Sequence, residues 1–380
     1  MTIPVFSERN FIMRLFTSML FSMIVGLMLT DAATALPRFA IRTGGKCQSC
    51  HVNPSGGAMR QAFGTQFGRE ELPVPTWADE FAIDEFSPAL SDNFSIGADM
   101  RLLWFNRKTG STSTNEIWQM QGDVYMNFRL ARKVNLYLDK GLYSGFEIFA
   151  LLNIIPANGF VKAGKFVPNY GTKMDDHTVY IRQMLGFSAE FGRPERTGLE
   201  VGIFPGPISI TGGVYNAGRE SSFPSAGKKK AFLGRAEGVF KATDDLNMGI
   251  GGNVFRKESS SGANTTMVGG FGAISYEDFT LFGETDWATT DSVGAKVTGL
   301  VGYAELNYMI TQGVDLKFAY DFYDPNIDVK SGSLSRYSFG VEFFPIAGVE
   351  VRPVYRHIVE DPDAQKVDND EFHLLLHFYF

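Results

Sequence analysis

Cys47-Gln48-Ser49-Cys50-His51 sets two thiols three residues apart with an imidazole beside the second, and it uses both cysteines of the 380-residue chain. Thiols at that spacing can add across the two vinyl groups of a porphyrin, and the adjacent histidine can bind the iron. The motif is therefore the attachment signature of one covalent c-type haem (heme c), with Cys47 and Cys50 as anchors and His51 as proximal ligand. Other chemistries compete less well. Zinc needs four ligands, and no second C-x-x-C or H-x₃-H follows. A redox dithiol belongs beside a βαβ pattern, and none is visible. A simple disulfide is the plainer alternative. The haem reading makes the protein an electron carrier, and the rest of the chain says where.

Attachment of haem to such a motif takes place outside the bacterial cytoplasm, so the chain needs an export signal. Arg9 and Arg14 give a positive start, Leu15 to Leu29 are apolar and uncharged, and Ala33-Thr34-Ala35 fits the small-x-small cleavage rule. Residues 1–35 read as a signal peptide and the mature chain starts at Leu36. The apolar run is short for a membrane span; an uncleaved anchor is the alternative.

At the other end, Phe372, Leu374, Leu376, Phe378 and Phe380 share one parity, and His373, His377 and Tyr379 the other. Such alternation is a strand with one apolar and one polar face. The pattern fills the chain before it. Phe94, Ile96, Ala98, Met100, Leu102 and Trp104 alternate with polar residues, as do Trp118, Met120, Val124, Met126, Phe128 and Leu130; Val314, Leu316, Phe318, Tyr320 and Phe322 alternate with Asp315, Lys317 and Asp321. Strands of about ten residues, apolar toward lipid and polar toward a lumen, are those of a transmembrane barrel. The fold class is all-β: an outer-membrane β-barrel of about 16 antiparallel strands, with both ends in the periplasm. Short connections, such as 131–133, 205–207, 277–278 and 311–313, alternate with long polar ones at 107–115, 217–229, 257–264, 324–333 and 360–371. Residues 134–155 read as one kinked strand or two short ones. A net charge of −7 argues against nucleic acid as a partner.

Four segments result: the signal peptide 1–35, a monohaem cytochrome segment 36–69, a Pro-rich acidic linker or plug 70–92, and the barrel 93–380. The haem segment is too short to enclose a haem by itself, so the barrel is the remaining wall and the segment is expected inside it.

Pro37-Arg38-Phe39-Ala40-Ile41-Arg42-Thr43-Gly44-Gly45-Lys46-Cys47-Gln48-Ser49-Cys50-His51-Val52-Asn53-Pro54 resembles the amino end of bacterial fused porin–cytochrome c proteins, single-chain outer-membrane barrels with one N-terminal c-haem. The terminal Phe380 resembles the C-terminal signature of bacterial outer-membrane barrels in general. The resemblance implies an outer-membrane electron conduit between an extracellular donor or acceptor and periplasmic cytochromes, with outer-membrane lipid around it. Iron(II) oxidation is the activity of the best-known members. The Asn53-Pro54-Ser55-Gly56-Gly57 after His51 departs from that iron-oxidising version.

Residues Ala163 to Thr178 break the alternation and follow the fifth strand. By resemblance to 16-stranded porins, the loop at this place folds inward and narrows the pore. That brings His177 into the lumen as the candidate distal ligand of the haem iron, with Asp175 or Asp176 available to orient its ring. His373 and His377 also face the lumen by parity, and Met174 is a further candidate. Met59 lies too close behind His51, and His357 shares parity with the lipid-facing set. Two other functions stay open: a diffusion porin whose haem segment is a redox sensor or plug, and a haem enzyme such as a peroxidase with an open sixth position.

Overall fold

The computed structural model describes residues 38–76, 87–141, 145–187, 194–218, 229–258, 262–360 and 369–380. The expected signal peptide 1–35, residues 77–86 of the expected linker, and most of the long connections at 217–229 and 360–371 lie outside the described residues.

Seventeen strands form one antiparallel sheet among the described residues. Ala89–Ser91 (β1) is a short hairpin arm on Phe94–Thr109 (β2). The other strands follow in chain order: Thr112–Ala131 (β3), Val134–Gly141 (β4), Phe146–Ile155 (β5), Gly159–Phe166 (β6), Arg196–Ile203 (β7), Ile208–Asn216 (β8), Lys230–Lys241 (β9), Leu246–Glu258 (β10), Asn264–Tyr276 (β11), Phe279–Ser292 (β12), Ala295–Thr311 (β13), Val314–Asp324 (β14), Leu334–Phe343 (β15), Val349–Glu360 (β16) and Asn369–Tyr379 (β17). β17 pairs with β2, from Asn369↔Thr109 to Tyr379↔Asp99, so β2–β17 close into a 16-stranded barrel. Closure removes every sheet edge, which is what lets strands cross a bilayer. Residues 134–155 resolve as two strands, β4 and β5.

Burial is inverted relative to a water-soluble protein. Ile250, Val268, Trp287, Phe318 and Phe339 are exposed outside, whereas Glu200, Glu305, Lys317, Asp321 and Arg356 are buried inside. Charged residues are buried only when paired, and here an apolar exterior is what lipid requires. The terminal strand shows the same inversion: His373 and His377 point inward and Phe372 and Phe380 are exposed. The connections 132–133, 156–158, 204–207, 242–245, 277–278, 312–313 and 344–348 are all short and share one end of the barrel, where both ends of the barrel sequence also lie.

The sequence pattern misleads in three places. The polar stretch 107–115 is not a loop: β2 and β3 run on to a two-residue turn at Gly110-Ser111, with Lys108↔Ser113 and Arg107↔Thr114 still paired. Threonines favour extended backbone, and beyond the bilayer both faces of a strand can be polar. Second, the ladder shifts register between Arg101 and Leu102, which skips Met120. This β-bulge reverses the parity of β3, so Trp118 and Met120 turn inward while Val124 and Phe128 stay outside. Third, alternation continues through β6 to Phe166, so the irregular segment starts at Val167 and not at Ala163.

The N-terminal segment lies inside the barrel at the short-turn end. It holds three short helices, Arg38–Thr43 (α1), Cys47–Cys50 (α2) and Ala62–Glu70 (α3). Lys46 donates to the Phe204 and Gly206 carbonyls (3.2 and 3.0 Å), the Val74 amide donates to the Phe344 carbonyl (2.9 Å), and the Gln312 amide donates to the Glu70 and Pro73 carbonyls (2.7 and 3.0 Å). All three wall positions are in or beside short turns. At the seam, the Phe380 amide donates to the Ala98 carbonyl and the Tyr379 amide to the Gly348 carbonyl (both 2.9 Å). Deleting Phe380 is expected to lower the fraction of protein that shows heat-modifiable gel mobility; an unchanged folded fraction would contradict this role for the last residue.

Candidate functional site

α2 is a single turn, Cys-Gln-Ser-Cys, closed by the His51 amide donating to the Cys47 carbonyl (2.8 Å). Residues three apart on a helical turn share a face, so Cys47 and Cys50 are presented together with His51 at the exit. The chain then loops back: the Val52 amide donates to the Met59 carbonyl (3.1 Å), and His51 bridges to Arg60. Gln61 fastens the loop with its side-chain amide on the Gln48 and His51 carbonyls (both 2.7 Å). α3 packs over α2 so closely that a Cβ at Gly64 would lie 2.2 Å from the Cys50 carbonyl oxygen.

Asn53-Pro54-Ser55-Gly56-Gly57 is explained by this loop. Gly56 and Gly57 both have φ of 83° and Ala58 has φ of 54°, a left-handed run that glycine adopts without strain. Asn53 caps its turn by accepting from the Ser55 amide (3.2 Å). Asn53 and Ser55 then enter a network in the wall. Lys162 on β6 donates to Ser55 Oγ (2.9 Å) and Asn53 Oδ1 (3.3 Å) and pairs with Glu200 on β7 (2.7 Å). Glu200 also accepts from Ser55 Oγ (3.1 Å), the Tyr215 hydroxyl (2.7 Å) and the Asn169 amide (3.1 Å). Lys162 and Glu200 are both 0% exposed. These wall residues escaped the sequence reading, although a lysine and a glutamate at lumen parity within short strands were a usable signal.

A cavity of about 340 Å³ opens beside the motif, within the range of small-molecule and cofactor sites. His51, Gly56, Gly57, Tyr137, Met174 and His177 are among its lining. The residues fit a covalently attached haem on three observations. The Cys47 and Cys50 thiols are not bonded to each other. His51 Nδ1 is buried without a hydrogen-bond partner of normal geometry, although the carbonyls of residues 57–59 bias the ring toward holding a proton. Gly57 leaves open space where a Cβ would stand, and a Cβ at Gly56 would come within 3.1 Å of Cys47 Sγ.

Burial pushes the His51 imidazole down to about 4, helped by the Arg60 charge, so at neutral pH the ring keeps a lone pair free to ligate. Burial, with Glu237 adding to it, pushes the Cys47 thiol up to about 12, and burial also raises Cys50. Protonated thiols of this kind suit a redox dithiol poorly. Among the described residues no group of three or more His, Cys, Asp or Glu side chains converges as a metal cage.

The segment from Val167 to Phe187 crosses the lumen. The Gly171 amide donates to Asn253, the Thr172 amide to Glu284 (2.8 Å), and the Tyr180 amide, at the start of the short helix Tyr180–Gln183 (α4), to Asp321 (2.9 Å). His177 therefore lines the cavity of His51. Asp175 and Asp176, expected as orienting partners for the His177 ring, are committed to the wall. Asp175 pairs with Arg352 (3.2 Å), Lys317 (3.7 Å) and Arg38 of α1 (3.8 Å), and Asp176 with Arg356 (2.5 Å). Burial alone would raise the Asp175 carboxyl, but Lys317, Arg352 and Arg38 hold it well below the usual carboxylate range.

The other candidate ligands fare differently. His377 lines the cavity too, but Glu350 takes its Nδ1 (2.8 Å) and Asp99 its Nε2 (3.1 Å). His373 sits against Phe105 and Glu371 (3.1 Å), lining two other cavities. His357 is on the outer face with Asp370 (2.8 Å). Met59 is wholly buried in an aromatic cluster with Tyr137, Phe149, Phe166 and Tyr215.

No family model matches the chain, and no curated protein does. Solved structures match its fold. OprB of Pseudomonas putida at high pH superposes with a TM-score of 0.59 at 12% identity, over 76% of this chain and 94% of that one. OmpT of Vibrio cholerae gives 0.55 at 12%, over 77% and 100%. An anion-selective porin from Comamonas acidovorans gives 0.55 at 10%, over 76% and 99%. The chain thus shares the 16-stranded barrel fold of these outer-membrane porins.

Lys162→Met should leave Glu200 buried and unpaired, at a cost of about 3–5 kcal/mol. Limited proteolysis would report it as faster cleavage near Asn53–Gly57 in an intact barrel. Wild-type resistance in the variant would show that this pair does not fasten the loop.

Proposed function

We propose that the protein is an outer-membrane electron conduit whose single haem c is attached at Cys47 and Cys50, ligated by His51 and carried inside the barrel. The observation that supports this most is the position of the C-x-x-C-H turn: it lies in the lumen, fastened to the wall, with His51 facing a cavity that reaches the inward loop. A haem there supplies one-electron chemistry at its iron. The chain's own residues do the rest. Gln61 and the Gly64 contact hold the motif's turn in shape. Lys46, Asn53 and Ser55 fix it laterally. Tyr137, Phe149 and Phe166 give the site one apolar flank, while burial and nearby charges set how easily charge is accommodated there. His177 would supply the second iron ligand in this reading, since it lines the cavity of His51, His377 has both ring nitrogens occupied and His373 lines other cavities. The partners are a redox substrate outside the cell, iron(II) being one candidate, and periplasmic cytochromes or similar carriers at the short-turn end.

The second reading is a diffusion porin in which the haem segment is a sensor or plug. The fold likeness to porins favours it. The N-terminal segment and the inward loop, both hydrogen-bonded across the lumen, favour the conduit.

Two variants test the assignment. Cys47→Ala combined with Cys50→Ala should abolish haem staining on a denaturing gel while heat-modifiable mobility persists; covalent haem in that double variant would defeat the proposal. His177→Ala should convert a low-spin spectrum to high spin or admit carbon monoxide, whereas an unaltered low-spin spectrum would assign the sixth position elsewhere.

A further inference from the structure

A second cavity, of about 330 Å³, lies on the long-loop side of the inward segment. Its position follows from its lining: Arg107 and Glu116 flank the β2–β3 turn, Ile358 is near the end of β16, and Glu371 near the start of β17. Phe105, Trp118 and Tyr180 supply aromatic walls. Trp118 is there because the bulge at Met120 turns it inward. A narrow space beneath shares Arg356 and His373 with this cavity and His177 with the cavity of His51.

The cations in this wall are not equivalent. Arg107 is paired with Glu371. Arg336 is spent on Asp321 (2.9 Å) and the Thr178 carbonyl (2.9 Å), with its guanidinium 4.3 Å above the Tyr180 ring. Arg356 gives one nitrogen to Asp176, but its Nε and Nη1 are buried with no hydrogen-bond partner, in a side chain only 3% exposed. Buried unsatisfied donors in a native structure call for an occupant. Glu371 is already held by Arg107, and Glu116 stands by the β2–β3 turn, so the open donors of this site belong to Arg356.

We infer that this cavity binds a small aromatic carboxylate from outside the cell, its acid group received by Arg356 and its ring held among Phe105, Trp118 and Tyr180. An open N–H on Nη1 gives one carboxylate oxygen a charge-assisted hydrogen bond. The volume admits one ring with its substituents, at the small end of ligand sites. The inference concerns the wall above His177 and does not depend on haem attachment.

The test is isothermal titration of the full-length protein in detergent with benzoate, and with benzamide as an uncharged match. Benzoate should bind with one-to-one stoichiometry and benzamide at least about tenfold more weakly, the loss expected when a charge-assisted pair is removed. Arg356→Gln should weaken benzoate by a similar factor. Because that change also removes the Asp176 pair, Ile358→Trp serves as a second variant. It fills the cavity, leaves Arg356 and Asp176 in place, and should abolish binding with heat-modifiable mobility retained. Quenching of the emission lost in Trp118→Phe should accompany binding to the unmodified protein. Failure of benzoate to bind, equal affinity for benzamide, or undiminished binding by Ile358→Trp would each overturn the inference.

Discussion

Asp175 is the point where the three parts of this molecule meet. It sits on the inward segment, pairs with Lys317 and Arg352 of the wall, and reaches Arg38 of the N-terminal segment. Its backbone carbonyl accepts from Arg101 of β2 (2.7 Å). Around it, Glu342 binds Arg38, Lys317 and Arg352, and Lys317 also holds Glu305 (2.9 Å). Each charge is tolerable in the lumen only because the others are present, since an isolated buried ion loses several kcal/mol of hydration. The barrel wall therefore specifies what must fill it.

That constraint divides the lumen. From β12 round to β2 the inner wall is charged, and the inward segment and α1 answer it with Asp175, Asp176, Arg38 and Arg42. From β3 to β10 the inner wall adds an aromatic cluster to its charges, with Tyr137 stacked on Phe149 (4.9 Å), Phe149 edge-on to Phe166 (5.8 Å) and Phe166 edge-on to Tyr215 (5.8 Å). The Asn53–Met59 loop rests on this apolar side through Met59, with Lys162 and Glu200 as its one strongly polar anchor. A site flanked by aromatic surface and ringed at a distance by fixed charge is one where protein groups can set a redox potential.

The barrel was legible because lipid and lumen impose period-two alternation on each strand: Phe318 outward and Lys317 inward were readable from residue type alone. The C-x-x-C-H turn could be singled out from spacing alone, because it uses both cysteines of the chain. What could not be read was anything fixed by strand register. A single bulge at Met120 moves Trp118 from the lipid to the lumen, and no local pattern announces it. The ion-pair partners of Asp175 and Asp176 lie more than a hundred residues away in sequence, so those pairs were invisible. The polar ends of β2 and β3 read as a loop because outside the membrane the apolar half of the alternation has no reason to persist.

The conduit proposed above would pass electrons, not solutes, through the barrel. It is tested most directly in proteoliposomes that entrap a reduced, membrane-impermeant dye, with ferricyanide added outside. The account predicts dye oxidation by the complete protein, none by the variant with Cys47→Ala and Cys50→Ala, and no release of dye from either. Equal oxidation by both proteins, or escape of the dye through the barrel, would contradict it.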